Sequence, residues 1–401
     1  VSSIVEAEPR ARPHGPELPA VSVPPRRRSA RDPRLDFFRG LAMLVIMIAH
    51  IPDNRWAEFI PARFGPSDAA EMFVFCSGYA AAIAFGGVFL RHGWWMGTRR
   101  ILLRFWQIYW AHIGLFVTVA SVVAAATALG IGGRDHIGGL NLHPFFDDAR
   151  TQLVGLVTLR YVPNYFDILP MYMVVLLLVP VVMALQRIHL AAAVAFSLAL
   201  YTAAWAGLEL PAEPWSDRPW FFNPFAWQLL FFTGFAIARG WLPVPPFRPW
   251  LLGLAAAYVL AMIPLSHNAL WPATALTRSI HEAIWGGAFD PAFKTNMHLV
   301  RWLHILALGY LAIWFCARFP RLLESPLARP VIRVGQQALA TFLSSMTVAQ
   351  LAGIALSATG QTPLAVAVAN IAGLASVFAV AYIVSWYKRE RWRTAPAVAT
   401  T

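Results

Sequence analysis

Apolar residues in this chain gather in blocks of roughly twenty, separated by shorter polar stretches, a pattern that predicts membrane-crossing helices rather than a soluble core. In order the blocks are 37–52, 69–90, 101–129, 165–186, 190–208, 223–238, 250–266, 298–317, 335–357 and 364–387. The expected fold is therefore all-α, a polytopic membrane helix bundle of about ten transmembrane helices. No internal repeat shows among them. Residues 1–33 break the pattern, being rich in Pro, Arg and Ala and ending in Arg26-Arg27-Arg28-Ser29-Ala30-Arg31. They read as a disordered basic tail and not as a cleavable signal peptide. A membrane domain at 34–390 and a short tail at 391–401 complete the organisation.

Composition sharpens this picture. At 58% hydrophobic and 13% charged, the chain is too apolar for a soluble globule. The formal net charge of +12 suggests nucleic acid at first sight, but the bases sit in short segments beside apolar blocks, which is a topology signal. Nucleic acid is not implied. With the N-terminus inside, the tail, 91–100, Arg187, 239–248, 318–333 and the C-terminal tail hold most of the Lys and Arg, so both termini are expected to be cytoplasmic. The other side receives the long loops 130–164, 209–222 and 267–297, the last holding Asp290 and Lys294. Their acids and tryptophans suit a polyhydroxylated ligand whose rings stack on indoles, or else form an interfacial aromatic belt. Cys76 and Cys316 both lie inside apolar blocks and read as packing residues, and no metal-ligand spacing is present.

Candidate chemistry starts in the first block. At 100° per residue, Arg39 and His50 return to nearly the same helical face, with Asp36 one turn before Arg39. Such a stripe is penalised against lipid and should face a bundle interior or a wet cavity. In the plainer reading Arg39 snorkels to headgroups and His50 ends the span at the interface. Glu71 opens the second block and Ser77-Gly78 follow it. Arg91, Arg99, Arg100 and Arg104 fit phosphate binding, or positive-inside topology with anionic lipid. Asp167, Gln228, Arg301 and His304 are candidates for lining a substrate cavity, with interhelical hydrogen bonding as their plainer role.

Arg39, ten intervening residues and His50 resemble the signature of the acyltransferase-3 membrane superfamily, and Glu71-Met-Phe-Val-Phe-Cys-Ser77-Gly78-Tyr79 resembles its Phe-Phe-x-x-Ser-Gly-Phe element. Its Arg-x-x-Arg pair is met here by Arg99-Arg100-Ile-Leu-Leu-Arg104, which is off by one. The runs Leu35-Asp36-Phe-Phe-Arg39-Gly, Tyr165-Phe-Asp167-Ile-Leu-Pro170, Asn223-Pro-Phe-Ala-Trp-Gln228 and Lys294-Thr-Asn296-Met are similar to the OpgC family, a likeness running over about 34–390. That resemblance implies a bacterial inner-membrane enzyme moving a succinyl group from cytoplasmic succinyl-CoA to glucose hydroxyls of osmoregulated periplasmic β-glucans. Succinyl-CoA enters as a co-substrate, with no tightly bound cofactor or metal. Membrane lipid and the proteins of glucan biosynthesis are the further partners it implies.

Acyl transfer from a thioester needs a base, a donor to the developing oxyanion and cations for the CoA phosphates. His50 is the expected base. Arg39 either stabilises the oxyanion or the thioester carbonyl, or holds the fold by pairing with Asp36 or Glu71. Glu71 either orients His50, as the third member of a triad does, or is a structural charge at a helix N-terminus. Ser77 reads as a packing or pore-lining point on the donor path rather than a nucleophile, because direct transfer needs no acyl-enzyme. Against a small-solute transporter stands the missing repeat. A glycan-binding sensor without turnover would also carry such loops, and an acyltransferase with another donor or surface glycan would carry the same residues.

Overall fold

The computed structural model describes residues 32–285 and 292–389, and every regular element among them is helical. Most of the expected basic tail, the C-terminal tail from 390 onward and Asp290 lie outside the described residues. Among the described residues the bundle is built chiefly from α1 (Pro33–His50), α2 (Ala69–Ala81), α3 (Gly87–Ala128), α4 (Ile168–Ile188), α5 (Leu190–Trp205), α6 (Pro224–Arg239), α7 (Pro249–Ser266), α8 (Ala275–Trp285), α9 (Leu299–Arg318), α10 (Ala328–Gln336), α11 (Ala338–Thr359) and α12 (Pro363–Lys388). Their starts are written in the sequence. Asp68 and Glu71 form a capping box at α2, Asn223 caps α6 ahead of Pro224, and Thr362 caps α12 ahead of Pro363.

The stretch 91–100, expected as a loop, is helical apart from Gly93, whose φ of 81° only glycine adopts readily. Eight residues of straight helix would separate Phe89 from Gly97 by about 12 Å. Instead a Cβ on Gly97 would lie 2.5 Å from the Phe89 ring, so the chain turns sharply at Gly93. The expected spans 69–90 and 101–129 thus belong to one helical run, Ala69–Ala128, bent at a single residue.

Six helical stretches among the described residues are long and apolar enough to cross a membrane: Ala69–Ala128, α4, α7, α9, α11 and α12. Helix α1, with its charged start, and the sixteen-residue α5 and α6 do not meet that measure alone. Two of the three, α1 and α6, are instead enclosed by neighbouring helices. Helices α1, α2, α6, α4, α3 and α11 touch in succession and close into a ring, so α1 and α6 face protein on several sides. Outside it, α7 pairs with α9, and α12 lies on α10 and α11.

Two glycine contacts set how closely helices approach, one holding α10 against α1 and one within the ring. A Cβ on Gly335 of α10 would stand 1.8 Å from the Asp36 carbonyl, and one on Gly78 of α2 would stand 1.9 Å from the Phe231 carbonyl of α6. Only backbone meets backbone at these crossings.

Candidate functional site

Helix α1 ends where α2 and α4 begin, and the ring encloses a cavity of about 630 Å³ there. His50, Arg63, Asp68, Asn164, Tyr165, Asp167, Arg218 and Lys294 supply its polar lining, and Phe221, Phe222 and Phe342 are among its apolar walls. The segments after α1 and before α4 and α6 contribute most of these groups. Loops 130–164 and 209–222 form one layer, because Val162 N donates to the Ala212 carbonyl at 2.8 Å and Asn141 Nδ2 donates to Glu213 Oε1 at 3.0 Å.

His50 is held in one arrangement. Its Nδ1 donates to the Ile46 carbonyl one turn back, at 2.8 Å, and its ring meets Tyr165 edge to face with centroids 5.0 Å apart. In a neutral imidazole this makes Nε2 the acceptor, and Nε2 has no hydrogen-bond partner among the described residues. Tyr165 itself sits at φ 75°, a left-handed conformation costly for a bulky residue. Strain is therefore stored beside the imidazole. Behind it, Asn54 and Asn370 exchange paired amide hydrogen bonds of 2.8 Å, tying the end of α1 to α12.

Asp68 is the second organising point. Its Oδ1 accepts from Ala70 N at 2.7 Å, while its Oδ2 accepts from Lys294 Nζ at 2.6 Å. Its own N–H donates to Glu71 Oε2 at 2.8 Å. Glu71, fully buried, takes both Nε and Nη2 of Arg301 on Oε1, at 2.7 and 2.5 Å. One carboxylate pair at the start of α2 thus anchors α9 and the segment before it. His304, one turn after Arg301, shares a 2.6 Å hydrogen bond between its Nδ1 and Ser67 Oγ.

The remaining expected site residues fall into separate places. Asp167 is buried in the cavity wall, where its Oδ1 accepts from Phe221 N at 3.2 Å. Gln228 staples α6 to α5: its Oε1 accepts from Ser197 Oγ at 2.7 Å, and its Nε2 donates to the Ser197 and Phe225 carbonyls. Ser77 is buried within α2 beside the Gly78 crossing. Asp36 is buried at the opposite end of α1. Arg39 lies one turn further in, and its buried Nε has no hydrogen-bond partner among the described residues. Arg91, Arg99 and Arg100 are exposed around the Gly93 turn, and Arg104 bonds Gln107 at 3.2 Å.

Asp68, Tyr165, Arg218 and Lys294 carry no role in the sequence reading, although Tyr165 and Lys294 stand inside the family-like runs. Asp68-x-x-Glu71 is a capping-box spacing, and that signal is present in the chain.

Fold and site together define an all-helical membrane protein with a polar cavity in its bundle and a tautomer-fixed histidine on the cavity wall. The OpgC protein family matches residues 31–389, and the chain belongs to that family, whose class of chemistry is acyl transfer. No curated protein and no solved structure matches it.

Proposed function

We propose that this chain is an O-acyltransferase that moves a succinyl group from cytoplasmic succinyl-CoA to glucose hydroxyls of osmoregulated periplasmic β-glucans, with His50 as general base. The observation carrying this reading is the 2.8 Å hydrogen bond from His50 Nδ1 to the Ile46 carbonyl at the cavity wall. It leaves the Nε2 lone pair for a proton arriving from a sugar hydroxyl. As that proton transfers, the hydroxyl oxygen bonds to the thioester carbonyl carbon. Collapse of the tetrahedral intermediate breaks the C–S bond, and the imidazolium returns the proton to the departing thiolate. A succinyl ester and free CoA thiol result, and His50 ends neutral.

The associated topology has ten crossings of the bacterial inner membrane and both termini in the cytoplasm. The bend at Gly93, the enclosure of α1 and α6 in the ring and the bias of basic residues support it. The cavity then belongs to the periplasmic half. Along α1, Arg39 and His50 are about 16 Å apart, further than their side chains reach towards one atom. In this reading Arg39 therefore attends the donor rather than the oxyanion at His50, and Arg91, Arg99, Arg100 and Arg104 receive the CoA phosphates from the same end.

The test is a mass analysis of periplasmic glucans from cells lacking this protein, complemented with the native chain or with His50→Ala at equal abundance. Succinyl increments restored by the native chain and not by the variant support the reading. Restoration by both removes His50 from the chemistry, and restoration by neither removes the glucan reading.

A further inference from the structure

We propose that Lys294 binds the free carboxylate of the donated acyl group and sets the preference for a dicarboxylic donor, an inference that rests on the acyl-transfer reading above. Lys294 lines the same cavity as His50. Asp68 accepts one of its three N–H bonds, at 2.6 Å, leaving two donors on a side chain that is 29% exposed. The ammonium also stands 5.6 Å from the Phe221 ring and 5.8 Å from the Phe222 ring, both cavity walls that stabilise a cation through their faces. The charge is thus held in place by neighbours that leave part of it open.

Its backbone is fixed with equal care. Trp227 Nε1 donates to the carbonyls of Lys294 and Thr295, each at 3.1 Å, and Asn223 N donates to the Thr295 carbonyl at 3.1 Å. Asn223 Nδ2 bonds Asn296 Oδ1 at 2.9 Å, and the Tyr201 hydroxyl bonds the Met297 carbonyl at 3.1 Å. Four consecutive residues are pinned to α5 and α6, which suits a recognition group more than a surface lysine. The other two cations of the lining face different partners. Arg218 binds Glu213 and the Val162 carbonyl, and Arg63 binds Glu58 and the Ala57 carbonyl, none of which except Ala57 lines the cavity. Lys294 alone among the lining cations has its acidic partner in the lining too.

A succinyl thioester carries its second carboxylate a few bonds from the carbon that His50's partner hydroxyl attacks. Seating that carboxylate on Lys294 would orient the thioester as well as select it. A neutral acyl group of equal length offers the ammonium nothing, and a polar site rejects an analogue lacking its partner group strongly.

The experiment compares kcat/KM for succinyl-CoA and butyryl-CoA, using the full chain in proteoliposomes with glucan acceptor. The ratio is read within one preparation, so loss of folded protein cancels. The unsubstituted chain favours succinyl-CoA, Lys294→Met lowers that preference about 10- to 100-fold, and Lys294→Arg retains it. The double variant Lys294→Met with Asp68→Asn, which leaves no orphaned carboxylate, shows the same lowered preference. If both Met variants lose the two donors by one common factor, the carboxylate assignment falls while acyl transfer stands. If the unsubstituted chain transfers neither acyl group, the acyl-transfer reading falls and this inference with it.

Discussion

The two ends of α1 carry the two residues of its shared face, and they are built in opposite ways. At the His50 end, side chains from distant segments converge on a cavity, the Asp68–Lys294 pair lies in its lining, and the Asn54–Asn370 pair ties the end of α1 to α12. At the Arg39 end, α10 lies on α1 with no room between them: a Cβ on Gly40 would stand 2.0 Å from the Val331 carbonyl, and one on Gly335 still closer to Asp36. One end gathers polar groups around a cavity, and the other brings backbone against backbone. A pair of polar residues on one helical face is therefore a weaker unit than it looks in sequence. Periodicity gives the shared direction, but the rise of 1.5 Å per residue puts their chemistry in different places.

Substitution at His50 tests this contrast most severely. His50→Ala is expected to lower glucan acylation by about 10²- to 10⁴-fold while the thermal midpoint stays near that of the native chain. A variant that unfolds instead would make His50 part of the framework. Next comes the network around the cavity. Glu71→Gln leaves Arg301 without its buried counter-charge, apart from Asp68 Oδ2 at 3.8 Å, and should cost about 3 kcal/mol in stability. Adding Arg301→Met should recover most of that loss. Turnover lost from Glu71→Gln protein of native stability would instead give Glu71 a part in the reaction. At the other end, Gly335→Ala should cost about 1–3 kcal/mol, because the added methyl meets backbone and no side chain is there to yield. Thermal unfolding of the purified protein in detergent separates these two losses, and recovery by a second substitution is expected only for Glu71.

Those contrasts also explain what is legible in the chain itself. Helical class, membrane character and the shared polar face of α1 follow from composition and period, which are local properties. The Gly93 bend does not stand out, since Arg91, His92, Arg99 and Arg100 give that stretch the polarity of a loop while its backbone is helical. Position in the sequence makes Glu71 a partner for His50 or a helix-terminal charge. In the structure it caps α2 with Asp68 and binds Arg301, two hundred and thirty positions away. Lys294 is opaque for the same reason: its meaning comes from Asp68, Phe221 and Trp227, which only the closed ring brings to it. Gln228 has a polar side chain in an apolar block whether it meets ligand or a neighbouring helix, and only the three hydrogen bonds it makes distinguish the two.

The weakest effect is expected in loop 130–164, where His143 Nε2 meets Asp135 Oδ2 at 2.6 Å with both side chains about half exposed. It is the surface counterpart of the buried Glu71–Arg301 pair. The hydrogen bond to Asp135 raises the His143 pKa above its usual value of about 6.5. The Gly138 N–H, followed by the contact with His143, holds Asp135 below the usual 3.9 or so. A raised histidine contributes fully below its unfolded value and loses that contribution as pH rises through the folded one. A lowered carboxylate contributes fully above its unfolded value and loses that contribution as pH falls through the folded one. Both contributions are complete between about pH 4 and pH 6.5. His143→Asn should therefore lower the thermal midpoint slightly at about pH 5.5 and leave it unchanged at about pH 9, with the low-pH effect shrinking in high salt. Glu71→Gln should lower it at both pH values and with little regard to salt, because its partner is shielded from solvent. An equal, salt-independent drop for His143→Asn at both pH values would make that contact one of packing and remove the distinction between the two pairs.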